Sequence, residues 1–150
     1  MISGNSGTKL ISGKMKATHF DLKQLADLLK SGTEDISFAL IHGSAKDGIV
    51  KEGSDIDIAV YFDVKPTLKH LAEVVRIVNS VIPNAEADVG VLNNSEPVYR
   101  FEALKGRPLF INDKEKYLRF FSLTCREYES QMADYERQRK YRLESNKAYP

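Results

Sequence analysis

The chain has 150 residues, 42% of them hydrophobic, and its 22 Lys and Arg nearly balance 21 Asp and Glu for a net charge of +1. That length is one domain with one proper core, and the balanced charge points away from a nucleic-acid-coating or disordered protein. No apolar run approaches the roughly 20 residues a membrane span needs. The N-terminus lacks the apolar centre of a signal peptide, and Cys125 stands alone, so neither a disulfide framework nor a cysteine metal site is expected. A cytoplasmic protein without membrane or direct nucleic-acid contacts fits these bounds, and Cys125 reads as a small core residue on a helix.

Residues 1–16 are rich in Gly and Ser and show no periodicity, which reads as a flexible leader; Met15 could itself begin the protein. Phe20–Lys30 follows as a short amphipathic helix with Leu22, Leu25, Leu28 and Leu29 on one side, stopped at Ser31-Gly32. Ile36–Ile41 has the length and branched-aliphatic content of a buried strand. Gly43-Ser44 breaks it, at a point where a turn or helix start presents backbone N–H groups to a phosphate. A polar crossing then leads into a second strand, Asp55–Phe62. Strand side chains alternate between faces, so Asp55 and Asp57 project from the same side.

Two carboxylates about 5 Å apart repel by roughly 3 kcal/mol at an effective dielectric of about 20. Either one takes a proton or a divalent cation binds both, and hard oxygen ligands beside a polyphosphate suit Mg²⁺. Taken singly, the aspartates read as loop acids and Gly43-Ser44 as a simple turn. Together, one short crossing apart, they point to a metal–nucleotide site. Beyond Pro66, Thr67–Ile82 is a helix with Leu68, Leu71, Val75, Val78 and Ile82 at helical spacing and Thr67 as N-cap. Ala87–Asn93 is a third strand whose only acid is Asp88. Pro97–Lys105 reads as a short helix closed at Gly106, and Pro108–Ile111 as a short strand. From Asp113 to about Ser145 runs one long helix. Its Leu118, Phe121, Cys125, Tyr128, Met132 and Tyr135 form a heptad seam, the first half expected on the sheet and the later half a candidate partner surface. Arg137, Arg139, Lys140 and Arg142 follow as a basic end, suited to a solvated helix terminus.

Gly43-Ser44, ten residues, then Asp55-Ile56-Asp57 resembles the signature of the minimal nucleotidyltransferases, small members of the DNA polymerase beta superfamily. The resemblance spans roughly Leu22 to Asn112 and implies an α/β (α+β) nucleotidyltransferase fold: a mixed sheet flanked by helices, with a long C-terminal helix. It divides the chain into a leader (1–16), a nucleotidyltransferase domain (17–112) and a C-terminal helix (113–150) packed on that domain and open to a partner or a second copy. Family members place a third carboxylate in a motif resembling DVVDLN, which maps it to Asp88, with Gly90-Val91 as a departure. Gly48 resembles a second family glycine. Asp47 departs again, because relatives commonly carry a basic residue there; Lys46 and Lys51 are the nearest cations.

The resemblance implies transfer of AMP from ATP, with two Mg²⁺ ions held by Asp55, Asp57 and Asp88, and Asp88 as candidate base. Gly43, Ser44 and Lys46 would hold the nucleotide, and Ser54 would orient an aspartate. Several such proteins are antitoxins that modify a tyrosine of a cognate HEPN toxin, so ATP and such a toxin are the expected partners. Two alternatives stay open: an antibiotic-type adenylyltransferase, and an antitoxin that neutralises by binding alone. His42, Arg100 and Arg107 read as packed or surface residues.

Overall fold

The computed structural model describes residues 7–11 and 15–148. The elements are β1 (Gly7–Ile11), β2 (Met15–His19), α1 (Leu22–Gly32), β3 (Ile36–His42), β4 (Ile49–Lys51), β5 (Asp55–Phe62), α2 (Leu68–Val81), β6 (Glu86–Val91), α3 (Pro97–Leu104), β7 (Arg107–Ile111) and α4 (Lys114–Ala148). A mixed four-stranded sheet, ordered β6-β5-β3-β7, forms the centre. Strand β3 runs antiparallel to both β5 and β7, whereas β5 and β6 are parallel. Parallel neighbours cannot be joined by a tight turn, and α2 supplies the crossover.

Alternation along the two inner strands splits the core. Ala39 and Ile41 of β3, with Ile56, Ile58, Val60 and Phe62 of β5, pack against α1 and α2 through Leu25, Leu29, Val74 and Val78. Phe38, Leu40 and Ala59 face the other way, against Ala103 of α3 and Phe120 of α4. Covered on both faces, β3 is buried from Ile36 to Ile41, which is why its sequence is apolar without alternation. The helix α1 starts at Asp21, whose carboxylate accepts hydrogen bonds from the backbone N–H of Lys23 (2.9 Å) and Gln24 (3.2 Å). Thr67 caps α2 in reciprocal fashion, its backbone N–H donating to His70 Nδ1 at 3.0 Å.

Three sequence expectations change. Residues 7–11 and 15–16, read as part of a flexible leader, pair as strands instead: β1 and β2 are antiparallel, and β2 continues onto β4. The Gly and Ser content of the leader masked two short extended stretches, and the three residues of β4 are too few to show a period; residues 1–6 and 12–14 of that leader lie outside those described. The third correction concerns α4, where the sheet-facing line is not the heptad seam. Phe120 and Thr124 are buried, while the seam residues Leu118 and Phe121 are 53% and 42% exposed. In the later half, Tyr128 stacks on Phe101 with ring centroids 3.8 Å apart, so it packs within the chain; Tyr135 is 50% exposed. No helix among the described residues is long and apolar enough to cross a membrane.

Candidate active site

Asp55 and Asp57 open β5 on the face that α3 and α4 cover further along, at Ala59 and Tyr61. Because the helices stop short of the first two positions, the carboxylates lie on an open shelf at the end of the sheet. Across β6, Asp88 is the parallel register partner of Asp57. Across β3, the register partner of Asp57 is His42. Strand spacing of about 4.8 Å therefore sets His42, Asp57 and Asp88 in a row on one face, with Asp55 two positions along from Asp57.

The electrostatics follow from that row. Burial pushes the Asp57 carboxyl above the ordinary carboxylate range, opposed by His42 when charged and reinforced by Asp88, Asp55 and a side-chain hydrogen bond with Asp88. Two carboxylates can hydrogen-bond each other only with a proton between them. His42 offers Asp57 little relief, because burial lowers its own pKa despite Asp57, Asp88 and Glu102 nearby, and its Nε2 is buried without a hydrogen-bond partner. A neutral imidazole thus stands beside an acidic pair that lacks a counter-charge.

An all-oxygen donor set under mutual repulsion is the chemistry a hard divalent cation satisfies, and in that respect Asp55, Asp57 and Asp88 fit Mg²⁺. Among the described residues, no group of three or more His, Cys, Asp or Glu is already arrayed to hold a metal.

The turn after β3 closes on the same spot. Gly43 has φ +71, and a Cβ there would run into the Asp57 carboxylate. Only glycine therefore lets the backbone pass this close to the acids. Residues Gly43–Ala45 form one 3-10 turn, with the Lys46 N–H reaching the Gly43 carbonyl at 3.4 Å. Ser44 and Lys46 are exposed there, and Lys46 makes no ion pair among the described residues. The site thus brings together Gly43, Asp55, Asp57 and Asp88, with Ser44 beside them on the turn. Ser54 differs from expectation: its backbone N–H donates to the Lys51 carbonyl at 3.0 Å, and its hydroxyl is not bonded to either aspartate.

One further group, Tyr99, was not legible as a site residue, and Arg107 remains the surface charge the sequence suggested. Tyr99 of α3 meets the His42 ring edge-on at 5.7 Å, and its hydroxyl occupies the space a side chain on residue 90 would fill. Gly90, a departure from the family motif, is the residue that makes room for it. Burial, then Asp88 and Asp57, raise the Tyr99 pKa, so the phenol stays protonated beside the acids. Arg107, read as a surface charge, donates from Nη2 to Asp47 Oδ1 at 3.2 Å. Neither Lys46 nor Lys51 pairs with Asp47. Such a pairing between residues 60 apart leaves no trace in local spacing.

A family model described as polymerase beta, nucleotidyltransferase matches residues 23–115, more than half of the chain and the whole of this site. The chain belongs to the polymerase beta nucleotidyltransferase family. This nucleotidyltransferase has no match among curated proteins. Its fold recurs in solved structures. A mutant of the toxin–antitoxin pair MntA-HpeT aligns with a TM-score of 0.66 at 17% identity, covering 82% of this chain and 98% of that one. A toxin–antitoxin structure with AMP-PNP aligns at 0.64 and 18% identity, with the same coverage. A tri-AMPylated Shewanella oneidensis HEPN toxin in complex with MNT antitoxin aligns at 0.59 and 16% identity, covering 81% and 95%. At such identities the likeness is one of fold.

Proposed function

We propose that this nucleotidyltransferase is Mg²⁺-dependent and moves AMP from ATP onto a protein hydroxyl, a tyrosine of a cognate HEPN toxin, acting as that toxin's antitoxin in the cytoplasm. The observation that carries the reading is the convergence of Asp57 and its register partner Asp88, with Asp55 alongside, on the Gly43 turn. The structural neighbours support the choice of substrate and partner, one being a complex with AMP-PNP and another an AMPylated toxin with its antitoxin.

Asp55, Asp57 and Asp88 would hold two Mg²⁺ ions, which when bound supply charge neutralisation at the phosphates and acidify the attacking hydroxyl. The chain's own residues supply the rest. Ser44 and the backbone N–H groups opening the Gly43–Ala45 turn bind phosphate oxygens. The acceptor oxygen attacks the α-phosphorus, a new P–O bond forms, and the bond to pyrophosphate breaks. A tyrosine hydroxyl has a pKa near 10 and must lose its proton as the bond forms. Asp88, exposed at the end of the row, would accept it.

Purified protein incubated with labelled ATP, Mg²⁺ and a candidate HEPN toxin tests the reading. Label on a toxin tyrosine, lost on changing Asp55→Asn or Asp57→Asn, is expected. Tight toxin binding without label would make the chain a masking antitoxin, and label on small molecules alone would make it an antibiotic-type enzyme.

A further inference from the structure

A phenol opens onto the acidic shelf. Tyr99 lies across the sheet just behind the carboxylates, its ring edge-on to His42 of β3 and its hydroxyl over Gly90 of β6. The trough it occupies is floored by two small register partners, Gly90 and Ala59, which stand two positions beyond Asp88 and Asp57 on the same face. Tyr99 is half-buried. Among the described residues its hydroxyl has no hydrogen-bond partner, yet it is not sealed in: the buried unpaired side-chain atoms belong to His42, Arg100, Thr124 and Gln131. Water on the shelf therefore reaches it.

The hydroxyl is on the side that the chemistry needs. The Gly43 turn abuts Asp57 from β3, whereas Asp88 lies beyond Asp57 on β6. In an in-line displacement the attacking oxygen enters opposite the leaving pyrophosphate. With the phosphates on the Gly43 turn, that entry lies over β6. There Asp88 and position 90 are about 6.7 Å apart along the strand, room for one oxygen atom hydrogen-bonded at about 2.8 Å to both the carboxylate and the hydroxyl. Carboxylates only accept hydrogen bonds, so Tyr99 supplies a donor that the acids cannot.

We infer that Tyr99 is a catalytic residue of the transferase, its hydroxyl donating a hydrogen bond to the acceptor oxygen as that oxygen gives up its proton to Asp88. This rests on the transferase reading above. A phenol keeps its own proton at neutral pH, and burial, with Asp88 and Asp57 close by, holds it more firmly. Tyr99 therefore donates throughout, while Asp88 takes the acceptor's proton, the new P–O bond forms and the bond to pyrophosphate breaks. A hydrogen bond to the charged form of the acceptor favours that form. It strengthens as charge builds on the oxygen, so it acts on the transition state and not on nucleotide binding.

The test follows transfer from labelled ATP to a candidate HEPN toxin, with Mg²⁺, for the wild type, Tyr99→Phe, Gly90→Ala and the double variant. Calorimetry with an ATP analogue that cannot be cleaved at the α-phosphorus reads nucleotide affinity and shows that each site is still assembled. Tyr99→Phe keeps the ring and loses the donor, so kcat falls about 10- to 100-fold, as for a hydrogen bond to a charged group, while the analogue binds as it does to the wild type. Gly90→Ala pushes the hydroxyl from its place and slows transfer as well. The double variant is no slower than Tyr99→Phe, because both changes remove one contact. Transfer by Tyr99→Phe at the wild-type rate, weaker analogue binding with kcat unchanged, or losses that add in the double variant would overturn the assignment. So would label on Tyr99 itself, which would make it an acceptor. A wild-type chain that labels nothing overturns the transferase reading itself.

Discussion

Replacing Asp57 by Asn separates the cost of the acidic row from its use. Asp57 and Asp88 are register partners on adjacent parallel strands, about 4.8 Å apart at the backbone. Fully ionised at an effective dielectric of about 20, they would repel by roughly 3 kcal/mol. The exposure of Asp88 to water relieves most of that, so about 1 kcal/mol remains for Asn to remove. Without metal at pH 7, Asp57→Asn is therefore expected to raise the melting temperature by about 2–5 °C. The sign follows from the raised Asp57 pKa: its penalty is absent below the ordinary carboxylate value near 3.8 and develops as pH rises through the folded-state value. The gain should thus shrink as the pH is lowered.

Magnesium reverses the order. A cation bound only by the folded state stabilises it by RT ln(1 + [L]/Kd), about 1.4 kcal/mol at tenfold excess over Kd, and the Asn variant should lose most of this. Thermal unfolding followed by circular dichroism, with EDTA and with Mg²⁺, reads both effects. A variant that melts below wild type in EDTA at pH 7, or gains as much from Mg²⁺, would refute the reasoning.

Two further perturbations have definite expectations. Gly43→Ala puts a side chain into the left-handed region and against the Asp57 carboxylate, at a conformational cost of about 1 kcal/mol. It should abolish label transfer while the far-ultraviolet spectrum stays native. Phe120→Ala removes a buried ring and should cost about 3–4 kcal/mol in urea unfolding, whereas Phe121→Ala, on the exposed seam, should cost under about 1 kcal/mol. Equal costs would return the heptad seam to the core.

Strong local signals made most of this molecule legible in its sequence. The apolar run of β3, the acid-headed run of β5 and the stripe of α2 each have long, single-period patterns, and their observed bounds differ from expectation by a residue or so. Strand alternation alone puts Asp55 and Asp57 on one side, whereas Asp88 was assigned through the family resemblance, and the structure makes it the register partner of Asp57. What was hidden depends on neighbours distant in sequence. On α4, Leu118–Phe121–Cys125 and Tyr117–Phe120–Thr124 are adjacent lines at similar spacing, and the one that includes a threonine is the one packed inward. Tyr99 belongs to the site because α3 packs on β3 beside His42 and its hydroxyl reaches Gly90 of β6, a placement with no local spacing rule.

The eight residues of β5 carry the acids and much of the hydrophobic interior on a single two-residue rhythm. Sliding that strand by one position would turn Asp55 and Asp57 towards α1 and α2 and push Ile56 and Ile58 out into water at the same stroke. Misplacement of the carboxylates and collapse of the domain are therefore one event, so that folding itself acts as the proofreader: a molecule stable enough to persist has its carboxylates correctly set.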